Sequence, residues 1–152
     1  MVRSIIHPLV GVLLAMVGVA LVQGVGHELF GSAPIREGMT PEELDATVRT
    51  YLETAPIGAL AFPVLAWMFG TFVGTLYVVQ LCHEMPTAHT APVLSVMLIC
   101  TILMLTMSPH PAWMYLAPVL VVGAWWNGVK YGKYRVSKAQ TKRDAEQELP
   151  SG

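Results

Sequence analysis

Apolar and polar positions follow one another along this chain in long blocks. Four apolar stretches, at about residues 5–26, 57–81, 91–107 and 112–129, are separated by shorter polar segments. Residues 82–90 are expected to be a turn, and Trp125 is expected to belong to the aromatic belt at a membrane interface. An α-helix needs about 20 apolar residues to cross the hydrocarbon core of a bilayer, and about 17 is the lower limit that the third stretch approaches. The pattern predicts an all-α protein that forms a four-helix transmembrane bundle.

The polar segment between the first two spans, residues 27–56, carries a helix signal of its own. Thr40 is a good N-cap, Pro41 fits the first helical position, and Glu43 completes a capping box. Apolar side chains then recur at helical spacing, at Leu44, Val48, Tyr51 and Leu52. We therefore expect a short amphipathic helix from Pro41 to about Glu53, lying on the membrane or on the end of the bundle.

Composition supports a membrane protein. Apolar residues make up 54% of the 152 residues and charged residues only 12%, whereas a soluble domain carries about 25% charged residues. Between Thr54 and Val129 the only charged residue is Glu84. A stretch with so little charge cannot cover the surface of a solvated domain.

The distribution of Lys and Arg predicts the orientation. Arg3 and the six bases that follow position 129 fall on one side of a four-span protein, and the acidic 27–56 loop falls on the other. Because cytoplasmic segments are enriched in Lys and Arg, both termini are expected in the cytoplasm. Residues 1–135 form the membrane domain, and residues 136–152 are expected to be a disordered tail.

Small and polar residues inside the spans indicate where helices pack. Gly70 and Gly74 form a GxxxG pattern, which lets a neighbouring helix approach closely, so we expect them to face the first or third span, with dimerisation as the alternative. Gln23 and Asn127 are candidates for hydrogen bonds between helices, each contributing about 1 kcal/mol or less.

The spans contain no Asp, Glu, Lys or Arg, and no CxxC pattern is present. This favours a non-enzymatic structural or accessory protein of the cell membrane, without a cofactor. Titratable side chains do gather where spans end, at His27, Glu28 and His110. With the Pro41–Glu53 helix as a lid, they are the candidate ligand-binding residues at the outer end of the bundle.

Metal or haem binding is the alternative. The five histidines are distributed over both ends of the predicted bundle, as two b-type haems would require, and Cys82, His83 and Met85 offer ligands that suit copper(I). The expected partners are the lipid bilayer and either other membrane proteins or a second copy of the chain. A net charge of −1 gives no indication of nucleic-acid binding.

Several short motifs together resemble a family of short four-helix bacterial membrane proteins that has no assigned function. The motifs are residues 26–30 (GHELF), 56–60 (PIGAL), 66–67 (AW) with 70–74 (GTFVG), and 110–114 (HPAWM). The resemblance covers most of residues 5–130. It implies a four-helix architecture in a bacterial inner membrane and implies no activity.

Overall fold

The computed structural model describes residues 2–82, 85–107 and 110–147 of the chain, which form five α-helices and one 3-10 helix. The elements are α1 (Val2–Phe30), α2 (Pro41–Thr54), α3 (Ile57–Leu81), α4 (Pro86–Met107), the 3-10 helix (Ala112–Leu116) and α5 (Ala117–Gln147).

Four helical segments of the described chain are long and apolar enough to cross a membrane: Ile6–Phe30, Ile57–Leu81, Pro86–Met107 and Ala112–Gln147. The predicted all-α, four-helix bundle is confirmed. Its surface carries large apolar side chains such as Leu13, Leu21, Ile99 and Val119, all more than half exposed. By the length and composition of its helices, the chain is a multi-pass membrane protein.

A seam of small residues joins α1 to α3. A Cβ on Gly70 would fall on the Ala15 carbonyl oxygen and 2.7 Å from Val19, and a Cβ on Gly74 would fall on the Gly11 carbonyl oxygen. Gly18 in turn lies against Gly70. Later residues of α1 contact earlier residues of α3, so the two helices run antiparallel with their backbones in close contact.

Helix α3 also packs against α5. A Cβ on Gly128 would lie 3.0 Å from Thr75, and one on Gly132 would lie 2.6 Å from Val79. Both chain segments advance in the same direction along this contact, so α3 and α5 are parallel. The core of the bundle lies among α1, α3, α4 and α5, and its members include Trp67, Met97, Met114 and Val121.

Two predicted boundaries near helix ends are wrong. Residues 82–90 were expected to be a turn, but α4 begins at Pro86, because proline is tolerated in the first turn, where its missing N–H has no intrahelical partner. Helix α1 continues past residue 26 to Phe30 and stops at Gly31. Gly31 has a φ of 74° and donates its N–H to the His27 carbonyl at 2.8 Å, which is a glycine C-terminal cap.

The last helix also departs from expectation. Residues 112–116 form the 3-10 helix, and α5 then runs to Gln147, so the prediction of disorder is wrong for residues 136–147. Opposite charges four residues apart support the extension, since Lys142 Nζ lies 3.7 Å from Glu146 Oε1. The remainder of the predicted tail, residues 148–152, lies outside the described residues.

Helix α2 confirms the predicted amphipathic element. Glu43 donates its N–H to Thr40 Oγ1 at 3.3 Å, and Thr40 donates its N–H to Glu43 Oε2 at 2.9 Å, so the capping box is complete. The helix ends at Thr54, one residue beyond the predicted position, and it contains no buried residue.

Candidate functional site at the α2 end of the bundle

A small cavity lies at the end of the bundle over which α2 passes. Its volume is about 90 Å³, and its lining includes Gln23, His27, Tyr51, Leu52, His110 and Met114. These residues come from α1, α2, the segment before the 3-10 helix and the 3-10 helix itself, and the start of α3 closes the remaining side. We call this cavity the α2-end pocket.

Interlocked glycine and phenylalanine residues join α1 to α3 beside the pocket, and Gly26 and Phe62 line it. A Cβ on Gly26 would lie 2.7 Å from the Phe62 ring, and a Cβ on Gly58 would lie 2.6 Å from the Phe30 ring. The two rings contact each other with centroids 5.5 Å apart. Each helix thus supplies a glycine beneath the aromatic ring of the other, and α1 and α3 stay close together up to the pocket.

Helix α2 covers the pocket through its last turn. Tyr51 donates its hydroxyl to the Gly31 carbonyl at 3.2 Å, and Leu52 and Ala55 pack against the apolar core. The earlier turns carry apolar side chains that stay accessible, with Leu44 38% exposed. Among the described residues, the cover is thus attached through the Tyr51 hydrogen bond and apolar contacts of Leu52 and Ala55, and α2 contains no buried residue.

The structure brings His27 and His110 to the same pocket, although they lie on separate elements. Glu28, the third predicted ligand-binding residue, is exposed and is not among the lining residues, because the next position along α1 points away from the cavity. Sequence reasoning missed Tyr51 as a lining residue. Tyr51 belongs to the apolar side chains that recur at helical spacing in α2, and that pattern could have indicated that it faces the bundle.

The polar groups that line the pocket are hydrogen-bonding groups. They are the imidazole nitrogens of His27 and His110 and the Gln23 carboxamide, which has both donors and an acceptor. A water molecule in the liquid occupies about 30 Å³, and pockets for drug-sized ligands occupy about 300–1,000 Å³. At about 90 Å³ the cavity suits an ion, a few waters or one inserted side chain. It is too small to enclose a haem.

The alternative copper site is described only in part and stays a prediction. Burial raises the pKa of the Cys82 thiol. Met85 is 63% exposed, and His83 lies outside the described residues. In the described parts of the chain, no three His, Cys, Asp or Glu side chains are grouped so that they could hold a metal ion.

The residues predicted to join helices divide into two groups. Gly70 and Gly74 lie in the α1–α3 seam, and Gln23 is half-buried at the pocket. Asn127, in contrast, is exposed and donates to the Gly123 carbonyl of its own helix at 2.8 Å. Its predicted role between helices is wrong, because a polar residue on the outer face bonds to its own helix.

A neighbouring residue makes the bond between helices instead. Trp125 Nε1 donates to Thr90 Oγ1 at 3.0 Å, which joins α5 to α4. The Thr90 hydroxyl in turn donates to the Thr87 carbonyl at 3.1 Å. Sequence reasoning missed this pair because Thr90 was assigned to a turn and Trp125 to the aromatic belt.

Comparison of the chain with protein-family models, with curated proteins and with solved structures finds no significant match. The resemblance to short four-helix bacterial membrane proteins therefore stays a prediction.

Proposed function

We propose that this chain is a non-enzymatic accessory protein of a bacterial inner membrane that binds another integral membrane protein at its α2 end. In this proposal both termini are cytoplasmic and α2 lies on the outer side. The observation that carries the proposal is the α2-end pocket, which has the size of one side chain and lies beneath the amphipathic helix α2.

Exposed apolar residues beside the pocket support binding of a protein partner. Ile35 is 59% exposed in the loop before α2, and Leu44 is 38% exposed on α2 itself. Both belong to the segment outside the predicted spans. A partner that covers them and inserts one side chain into the α2-end pocket would bury apolar area.

Site-specific photo-cross-linking in intact cells tests the proposal. A photoreactive residue at Leu44 should form a discrete adduct with one membrane protein. The same residue at Glu42, two positions away and on the opposite side of α2, is the matched control and should not form that adduct. The substitution His27→Ala should reduce the Leu44 adduct several-fold while the purified variant keeps its thermal stability in detergent.

Two results would overturn the proposal. Adducts with lipid alone at Leu44 would show that α2 lies on the membrane surface without a protein partner. Equal yields of the same adduct from Leu44 and Glu42 would show random collision rather than binding through one face.

The shared position of His27 and His110 favours a second candidate, a small metal ion held by the two imidazoles. Elemental analysis of the protein purified without chelators should then find about one zinc or copper per chain, and His110→Ala should remove it. Wild-type protein without metal, when purified from medium containing both metals, would rule this candidate out.

A further inference from the structure

A second cleft lies at the opposite end of the bundle, where α5 leaves the membrane domain. It has a volume of about 360 Å³ and is lined by Gln80, Arg135, Val136, Ala139, Gln140 and Arg143. We call it the tail cleft. It is separate from the α2-end pocket and shares no residue with it.

The unequal lengths of α3 and α5 create the tail cleft. The two helices are in close contact at their last shared turn, where Gly132 lies against Val79. Helix α3 then ends at Leu81, whereas α5 continues to Gln147. The face of α5 that had packed against α3 therefore loses its cover, and the side chains on that face surround an open space.

The residues on this face follow helical spacing. Positions 135, 139 and 143 are four apart, and so are 136 and 140, so all five lie along one side of α5. At about 1.5 Å per residue, the two arginines lie about 12 Å apart along the helix. The small side chain of Ala139, between the two arginines, leaves space for a ligand. Gln80 and Gln140 add carboxamide N–H donors.

The charge of the tail cleft is not neutralised by the part of the chain that the structure describes. Both arginines are exposed, and neither forms an ion pair with a described residue. On the described part of this extension an ion pair joins Lys142 to Glu146, so Glu146 compensates a lysine outside the cleft lining. Two guanidinium groups that line one cavity attract an anion.

The Arg135 end of the cleft is expected near the level of lipid phosphates. Trp126 and Tyr131, 57% and 49% exposed, mark the aromatic belt at this interface. Arg135 follows Tyr131 by four residues, or about 6 Å along the helix, which is within the polar layer of about 5–8 Å on each side of a bilayer.

We propose that the tail cleft binds a phosphate group through Arg135 and Arg143, with Gln80 and Gln140 as further donors. The planar guanidinium group offers paired N–H donors that match phosphate oxygens. The phosphate belongs either to an anionic phospholipid headgroup or to a soluble phosphate compound. This proposal does not depend on a protein partner at the α2 end.

Two variants with the same charge separate a built site from general attraction to an anionic surface. R135Q/R143Q removes two positive charges from the cleft. K130Q/K138Q removes two from α5 at positions outside the cleft lining and is the matched control. R135K/R143K keeps the charge and removes only the paired donors.

Each variant is purified in mild detergent and mixed with equal amounts of phosphatidylglycerol and phosphatidylcholine, and the retained lipid is counted by native mass spectrometry. A second arm measures the melting temperature with and without inorganic phosphate. Wild type and K130Q/K138Q should either retain phosphatidylglycerol selectively or gain thermal stability from inorganic phosphate. Selective retention identifies the ligand as a lipid headgroup, and stabilisation by phosphate identifies it as a soluble phosphate compound. R135Q/R143Q should weaken that binding by about tenfold or more, because the loss of one charge-assisted hydrogen bond alone corresponds to about tenfold.

Equal losses in R135Q/R143Q and K130Q/K138Q would overturn the proposal, because net charge alone would explain them. Absence of both lipid selectivity and phosphate stabilisation in the wild type would also overturn it. If R135Q/R143Q does not fold, R135K/R143K decides: weaker binding supports the site, and unchanged binding contradicts it.

Discussion

Gly70 and Gly74 place no side chain between α3 and α1, and the two backbones meet there. The sequence identified these glycines through their spacing. It did not identify their counterparts Gly11, Ala15 and Gly18, because small residues are frequent in the first span and only the structure selects the ones that face α3. Lipid is as apolar as the helices, so such close packing is a main source of association between them.

Replacing Gly70 with leucine should destabilise the bundle. The new Cβ would fall on the Ala15 carbonyl oxygen, which is backbone and cannot rotate away, so α1 and α3 must separate. Overpacking of this kind costs about 1–3 kcal/mol, and the melting temperature in detergent should fall clearly. Gly24→Leu is the control, since a Cβ on Gly24 would meet no atom within 4 Å. An unchanged melting temperature for Gly70→Leu would contradict the described seam.

Trp125→Phe should also lower stability, because it removes the indole donor to Thr90. The net loss should be about 0.6–1 kcal/mol, the usual range for such a bond in a membrane protein or a soluble one. Trp126→Phe is the control, because it makes the same indole-to-phenyl replacement at a side chain that is 57% exposed. Equal destabilisation of the two variants, measured by denaturation in mixed detergent micelles, would show that the bond contributes nothing.

Helix α2 is the element with the fewest buried contacts, and its N-cap therefore has a large effect on its stability. Thr40→Ala removes the hydroxyl that accepts the Glu43 N–H and should destabilise the helix by about 1 kcal/mol. Amide hydrogen exchange over residues 41–54 should become faster, and exchange in α3 should not change. Thr50→Ala is the control, because its hydroxyl donates only to a carbonyl of the preceding turn, that of Ala46. The same acceleration in both variants would contradict the role of the cap.

The elements could be predicted from sequence wherever one physical signal dominated. Apolar length identified the spans, and the Thr40–Glu43 box identified α2. Prediction was wrong where one residue type serves two purposes. A proline such as Pro86 is as common at the start of a helix as in a turn. The charged residues after position 135 can form a solvated helix as readily as a disordered tail.

At the scale of the whole molecule, the sequence indicated that His27 and His110 lie at the same end of the bundle, but not that they line one pocket. That depends on which helices are neighbours and on how each is rotated about its axis. The sequence likewise did not show that Arg135 and Arg143 line one cleft, because that cleft is formed where α5 extends beyond the end of α3. Charge counting predicts the side of the membrane and identifies no site.

The two proposed sites belong on opposite faces of the membrane, so the topology of the chain is the central claim. Single cysteines at Ser32 and Ser137, both exposed, test it in a background from which Cys82 and Cys100 have been removed. A membrane-impermeant maleimide applied to intact spheroplasts should label Ser32→Cys and leave Ser137→Cys unlabelled until the membrane is permeabilised. Labelling of Ser137→Cys in intact spheroplasts, with Ser32→Cys protected, would contradict the orientation and with it the proposed partner site on the outer face.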